Sequence, residues 1–119
     1  TGFLTGSDID TLFAMSDVYV MPSVSEPFGI SPLEAMRAHV PVVISKQSGV
    51  SEVLQYAIKV DFWDVDATAD AIYGILHYPA LAKIFAEKGK EEVNNLKWEY
   101  VAKKLKGIYE DVLAKHKFL

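Results

Sequence analysis

Two glutamates, Glu26 and Glu34, lie eight residues apart in a segment rich in proline and serine. Carboxylates accept charge-assisted hydrogen bonds from hydroxyl groups, and each such bond contributes about 1.5 to 3 kcal/mol. Between them, Ser31 and Pro32 are residue types that favour the start of a helix. A helix N-terminus carries unpaired N–H groups and about half a positive charge, so it attracts anions. This spacing favours a ligand with hydroxyl groups at its ends and an anion in its middle.

The segment around these glutamates is also predicted to be stiff. Pro22, Pro27 and Pro32 fall within eleven residues, and each proline fixes its own φ angle and pushes the preceding residue toward extended geometry. Gly29 allows a ligand to approach the backbone closely. Because the segment follows a predicted strand, it is expected at the carboxyl edge of a parallel sheet, where open α/β folds bind their ligands.

A nucleotide sugar satisfies these requirements. One carboxylate would accept hydrogen bonds from the sugar and the other from the ribose, while the helix end between them holds the diphosphate. A purely structural alternative explains part of the same pattern: with Ser31 as N-cap, Glu34 stands at the third helical position and can complete a capping box. Spacing alone leaves both interpretations open.

The rest of the chain predicts an α/β fold. Short apolar runs predict strands at residues 1–4, 18–21, 42–44 and 57–60, and helices are predicted at 8–16, 32–38 and 51–55, with Ser7 as the first N-cap. Strands that alternate with helices indicate a parallel sheet, here a partial Rossmann-like sheet of about four short strands with flanking helices.

The last third of the chain is predicted to be entirely helical. Residues 1–119 are expected to form one domain, with βα units over 1–64 and helices over 65–119. The longest apolar stripe in these helices has helical spacing and is expected to belong to the core; it comprises Trp98, Val101, Ala102, Leu105, Ile108, Tyr109, Val112 and Leu113.

Composition excludes several classes of function. The chain has no cysteine, which removes disulfide scaffolds, thiolate metal sites and cysteine nucleophiles. Its 12 basic and 16 acidic residues give a net charge of −4, which argues against nucleic acid or an anionic membrane as the main partner. No apolar run is long enough to span a bilayer, and the histidines have no metal-ligand spacing. A cytoplasmic domain is predicted, and nothing in the composition points to a bound metal or cofactor.

The segment from Glu26 to Met36, with its flanking strands, resembles a known family. The sequence EPFGISPLEAM, preceded by DVYVMPS and followed by PVVIS and GVSEV, is similar to the donor-binding domain of retaining glycosyltransferases with the two-Rossmann B-type fold. That group includes glycogen synthases, sucrose synthases and many polysaccharide glycosyltransferases. Glu26 and Glu34 coincide with the two acids of its E-x7-E motif, and the Trp98 helix resembles its C-terminal helix.

The resemblance implies a role for each matching residue. Glu26 would be the catalytic residue. Its carboxylate would contact the donor sugar and stabilise the positive charge that develops at the anomeric carbon. Phe28, Gly29, Ile30 and Ser31 would bring backbone N–H groups, and the serine hydroxyl, to the sugar and phosphates. Glu34 would bind the ribose. The substrate would be an ADP- or UDP-sugar, with glucosyl transfer to an α-glucan or another polysaccharide and no metal.

The resemblance also implies that this chain is a fragment. The phosphate-binding Arg and Lys and the acceptor domain would lie upstream of Thr1, so we expect weak donor binding and no turnover by these 119 residues. A sheet edge exposed in this way would favour self-association. One alternative is a sugar-nucleotide epimerase or a non-catalytic subunit of the same fold. Another is a phospho-acceptor receiver domain, but this sequence lacks the acidic residues that such a domain needs.

Overall fold

The computed structural model describes residues 1–26, 28–96 and 98–116. In chain order the described residues form α1 (Ser7–Ala14), β1 (Tyr19–Met21), α2 (Ser31–Arg37), β2 (Val42–Ser45), a 3-10 helix (Gly49–Glu52), β3 (Ile58–Val60), α3 (Val65–His77), α4 (Pro79–Asn95) and α5 (Trp98–His116). The predicted α/β class, with a helical last third, is confirmed. None of these helices is both long and apolar enough to cross a membrane.

The sheet is parallel and has the order β1-β2-β3. Val20 pairs with Val43, and Ile44 pairs with Lys59. Every residue of β2 is buried, as expected for a central strand covered on both faces. The carboxyl ends of all three strands therefore meet at one edge, which is the edge from which the Glu26 segment leaves β1.

The strand predicted at residues 1–4 does not form. A strand exists only where another strand accepts its ladder of hydrogen bonds, and no described residue makes backbone hydrogen bonds to this segment. Phe3 is 93% exposed there. Ser7 is not the N-cap of α1 either: Gly6 holds that position, with φ of 61°, and no side chain caps the helix.

Helix α4 packs against α2 and braces the start of β3. A Cβ atom at Gly89 would stand 3.1 Å from the Met36 Cε, so glycine permits the close approach of the two helices. The Glu92 carboxylate accepts hydrogen bonds from the N–H groups of Gln55, at 2.8 Å, and Tyr56, at 3.0 Å. These contacts hold the segment before β3 against the helical layer.

The long apolar stripe of α5 is only partly buried. Leu105 and Ile108 are half-buried, whereas Tyr109, Val112 and Leu113 are 62%, 48% and 65% exposed. The expectation of a core stripe is therefore wrong for its second half, because helical spacing alone does not supply a surface to pack against. The side chains of Trp98 and Val101, also in the stripe, lie outside the described residues.

Helix α2 ends in a left-handed residue that is not glycine. His39 has φ of +68°, its N–H donates to Met36 O at 3.0 Å, and the Val40 N–H donates to Ala35 O at 3.0 Å. This pair of bonds is a Schellman motif, whose left-handed position glycine normally occupies. A residue with a Cβ atom is strained there by about 1 to 2 kcal/mol.

We predict that His39→Gly stabilises the protein by about 1 kcal/mol relative to His39→Ala. Both variants remove the imidazole, so their difference isolates the strain that the Cβ atom causes at positive φ. Urea denaturation followed by circular dichroism measures it. Equal unfolding free energies for the two variants would contradict the strain.

An ion pair attaches α5 to the 3-10 helix. The Lys104 Nζ lies 2.5 Å from the Glu52 Oε2. This hydrogen bond and the positive charge of Lys104 lower the pKa of Glu52 from its ordinary value of 4.5. A lowered carboxylate pKa stabilises the fold above the ordinary pKa, and the stabilisation is lost as the pH falls through the lowered value.

Lys104→Gln should therefore cost about 0.2 to 1 kcal/mol at pH 7, the range for exposed pairs. The cost should shrink as the pH falls below 4.5, through the lowered pKa of Glu52. Lys106→Gln is the matched control, because in the part of the chain that the structure describes Lys106 pairs within α5, with Glu110 at 3.9 Å. Thermal melts between pH 3 and pH 7 measure both. A deficit for Lys104→Gln that does not vary with pH would refute the assignment.

Self-association through a sheet edge stays a prediction. β1 pairs with β2 on one side, and no other described strand pairs with it. Unpaired edge N–H and C=O groups favour pairing with another chain. Size-exclusion chromatography at increasing concentration should show a growing dimer fraction. A constant monomer elution volume over that range would show that the edge is not used.

Candidate functional site

The loop between β1 and α2, residues 22–30, is hydrogen-bonded to the segment that follows β2. Glu26 forms an isolated parallel bridge with Ser48. The Gly49 N–H donates to the Glu26 carbonyl at 2.7 Å, and the Val50 N–H donates to the Phe28 carbonyl at 2.8 Å. The backbone at Glu26 and Phe28, where the donor is predicted to bind, is thus held by the segment that follows β2.

Three serines, at the end of β2 and after it, complete this support. The Ser45 hydroxyl donates to the Ser23 carbonyl at 2.7 Å, which joins the end of β2 to the loop. The Ser48 hydroxyl donates to Ser45 O at 2.7 Å, and the Ser51 hydroxyl donates to Ser48 O at 2.6 Å. All three serines are buried. The sequence analysis assigned none of them this supporting role, although serines spaced three apart from the end of a buried strand are a recognisable signal for local backbone bonding.

Gly29 lies at the tightest point of the loop. Its φ is +92°, and a Cβ atom there would stand 3.3 Å from both the Met21 Cε and the Glu26 Cγ. The angle therefore requires glycine, and a Cβ atom would also press on the side chains of Met21 and Glu26. Packing of Gly29 against Met21 and Glu26 holds the loop in place beside the glutamate. Pro27, one of the prolines expected to stiffen this loop, lies outside the described residues.

The start of α2 differs from the prediction by one residue. Ile30 is the N-cap, and its carbonyl accepts from the N–H groups of both Leu33, at 3.0 Å, and Glu34, at 3.2 Å. Ser31 is already inside the helix, and no side chain caps it. The N-cap assignment of Ser31 and the capping-box alternative are therefore wrong, because the Glu34 N–H, which a Ser31 cap would bind, donates to the Ile30 carbonyl instead. Glu34 is left without that structural role.

Glu34 faces a surface cleft of about 350 Å³. Its other lining residues are Gly6, Ile9 and Asp10 from the start of α1, and Arg37 from one turn further along α2. None of the described residues of the loop 22–30 lines this cleft. Glu34 is therefore surrounded by the N-terminus of α1 and by Arg37. The sequence assigned no binding role to Arg37.

The other predicted site residues differ in accessibility. Phe28 is 6% exposed and belongs to the hydrophobic core, so only its backbone can face a ligand. Ile30 is 55% exposed, and Ser31 is also exposed. Glu26 is half-buried. The structure thus leaves the helix entry open to solvent, with Glu26 before it and Glu34 one turn inside it.

Other clefts lie away from this edge of the sheet. One of about 410 Å³ is lined by His39 and by residues of α4, and His39 precedes β2, at the amino end of the sheet. Open α/β sheets place ligands at the carboxyl end. Among the residues that the structure describes, no three His, Asp or Glu side chains are grouped as metal ligands would be. That no metal takes part stays a prediction.

Comparison with known proteins identifies the family and the fold of this chain. The profile of the family described as "Glycosyl transferases group 1" matches residues 1–92. The structure also superposes on a sucrose-phosphate synthase from Thermosynechococcus elongatus with a TM-score of 0.76 and 31% identity, which covers 97% of this chain and 30% of that one.

Two curated relatives are similar over most of this chain. An uncharacterized glycosyltransferase of Methanocaldococcus jannaschii is 33% identical over 92% of this chain and 29% of its own length. An alpha-maltose-1-phosphate synthase of Mycobacterium tuberculosis is 32% identical over 93% of this chain and 31% of its own length. The chain thus spans about a third of each relative, and the receiver-domain alternative is wrong. The chain belongs to the group 1 glycosyltransferase family.

Proposed function

We propose that this chain is the donor-binding part of a retaining glycosyltransferase that takes a sugar from a nucleoside diphosphate. The observation that carries the proposal is the clamped loop: Glu26 and Phe28 are held through their carbonyls by Gly49 and Val50, directly before an uncapped helix entry. A loop fixed in this way positions a ligand at little conformational cost. Family membership supplies the class of ligand.

Each acid has a separate task in this proposal. Glu26 accepts hydrogen bonds from hydroxyl groups of the donor sugar and stabilises positive charge that develops at the anomeric carbon. Glu34, exposed in its own cleft, accepts hydrogen bonds from the ribose. The N–H groups of Gly29, Ile30 and Ser31 face the sugar and phosphates between the two acids. Because the departing phosphate takes the proton from the attacking hydroxyl, the protein supplies positioning and electrostatics rather than a general base.

We further propose a glucosyl donor and an α-glucan or other polysaccharide acceptor. Two similar proteins are named for the synthesis of maltose-1-phosphate and sucrose-phosphate, and both names denote compounds that contain glucose. The alternative is an epimerase or a non-catalytic subunit of the same fold. Incubation of a longer chain with donor and glucan separates them, because only a transferase lengthens the glucan.

The two carboxylates are tested by titration of the chain with UDP-glucose and ADP-glucose in a calorimeter. Glu26→Gln and Glu34→Gln should each weaken binding of the preferred donor roughly tenfold or more, the equivalent of one charge-assisted hydrogen bond. Glu34→Gln should melt at the temperature of the unmodified chain, because its exposed side chain makes no capping box. The chain by itself should bind the donor weakly and release no free glucose or nucleotide.

Glu87→Gln is the matched control, because Glu87 is an exposed acid on α4 whose ion pair, among the described residues, is with Lys83, at 3.9 Å. It should leave donor binding unchanged. If Glu26→Gln and Glu34→Gln bind the donor as well as Glu87→Gln does, neither carboxylate holds the ligand. Turnover by the 119 residues alone would contradict the proposal that they are only the donor-binding part.

A further inference from the structure

Lys104 reaches from α5 to the 3-10 helix that supports the Glu26 loop. Its Nζ donates to the Glu52 Oε2 at 2.5 Å, and the two residues are 52 positions apart in the chain. Glu52 is the last residue of the 3-10 helix that begins at Gly49. Nothing in the proposed donor site uses Lys104. The contact therefore connects a distant helix to the segment that is hydrogen-bonded to the Glu26 loop.

The 3-10 helix is joined to the Glu26 loop by two backbone hydrogen bonds at its start. The N–H groups of Gly49 and Val50, its first two residues, donate to carbonyls of the loop at 2.7 and 2.8 Å. These two bonds form the loop clamp. A 3-10 helix has three residues per turn, so about one turn separates the loop clamp from Glu52. A shift of the Glu52 end is therefore transmitted to the loop.

The core holds the middle of the 3-10 helix but leaves its end in solvent. Val50 is completely buried and Ser51 is 6% exposed, whereas 69% of the Glu52 side chain is exposed. No side chain caps this helix, and the hydrogen bonds of a 3-10 helix have poorer geometry than those of an α-helix. Lys104 thus gives the exposed end a tertiary contact that the core does not provide.

The Lys104 side chain packs more closely against the protein than lysines that pair within one helix. It is 23% exposed, whereas Lys83 and Lys106, which pair within α4 and α5, are 73% and 77% exposed. A lysine stem that packs against the protein loses rotamer freedom, so its ammonium group is held in place. The contact with Glu52 is therefore more fixed than an ion pair between two freely exposed side chains.

We propose that Lys104 is a positioning residue for the donor site: it fixes the Glu52 end of the 3-10 helix, and the loop clamp transmits this constraint to the backbone of the Glu26 loop. The inference rests on the proposed function, which makes that loop a ligand site. Lys104 itself touches no ligand. It reduces the conformational freedom that the loop has before the donor binds, so the donor binds at a smaller conformational cost. By linkage, a bound donor also stabilises the contact between α5 and the 3-10 helix.

The loop clamp is observed directly, without any donor, in the NMR spectrum of the 119-residue chain. The amide proton shifts of Gly49 and Val50 respond to the lengths of their hydrogen bonds. In Lys104→Gln both resonances should move upfield, because the bonds lengthen when the Glu52 end is released. Lys104→Arg should keep the shifts of the unmodified chain, because a guanidinium group also donates to a carboxylate.

Donor affinity is compared by calorimetry with whichever of UDP-glucose and ADP-glucose the unmodified chain prefers. Lys104→Gln should weaken binding about two- to fivefold, within the range set by the strength of exposed ion pairs, since the ligand must then order a looser loop. Two controls should bind the donor as the unmodified chain does. Lys106→Gln removes an ion pair within α5, and Ile75→Val shortens a buried side chain of α3 and lowers the stability of the whole fold.

An exchange of the two charges tests the pair itself. Glu52→Lys and Lys104→Glu should each weaken donor binding, because two like charges then face each other. Combined in one chain, the two substitutions restore a pair of opposite charges. The double variant should therefore bind the donor more tightly than either single variant.

The outcomes separate this inference from the proposed function. If the unmodified chain binds neither UDP-glucose nor ADP-glucose, the donor proposal fails, and the amide shifts of Gly49 and Val50 decide whether Lys104 holds the loop clamp. If the chain binds a donor, unchanged shifts in Lys104→Gln would overturn the inference. Equal affinity of Lys104→Gln and Lys106→Gln, or a double variant that binds no better than the single ones, would overturn it as well.

Discussion

Two backbone hydrogen bonds connect the chemistry of this protein to its fold. The N–H groups of Gly49 and Val50 donate to the carbonyls of Glu26 and Phe28 at 2.7 and 2.8 Å. Without them, a loop of nine residues between β1 and α2 would have many conformations, and a carboxylate on it would have to be ordered by its ligand. With them, that ordering is completed during folding, and the ligand meets a loop that is already shaped.

The buried central strand makes this clamp possible. Every residue of β2 is buried, so its carboxyl end has a fixed position between its two neighbours. The end of β2 and the segment after it then bind in both directions, Ser45 to the loop from β1 and Gln47 to the loop from β3. Because both loops are tied to one segment, their relative position changes little. This common support is the physical reason that the loop with the proposed donor site and the loop after β3 form one edge.

Two of the predictions that failed share one cause. An apolar run at 1–4 and an apolar stripe on α5 both satisfied the periodicity of a strand or a helix, yet the run has no paired neighbour and Tyr109 remains exposed. Periodicity describes which faces of an element are apolar, and it does not describe what covers them. At α2 the error was smaller, because helix ends are set by which carbonyl accepts first, here that of Ile30 rather than Ser31.

The sequence by itself determined the alternation of strands and helices, the parallel sheet and the segment with the two glutamates, because these follow from local spacing of apolar residues, prolines and glycines. It also singled out Gly29, which has a φ of +92° that residues with a side chain rarely adopt. Only the tertiary structure decided that Ser45 supports the loop, that Phe28 faces the core and that Glu34 faces α1. Those contacts join residues distant in sequence, and their geometry depends on how the helices and strands pack together.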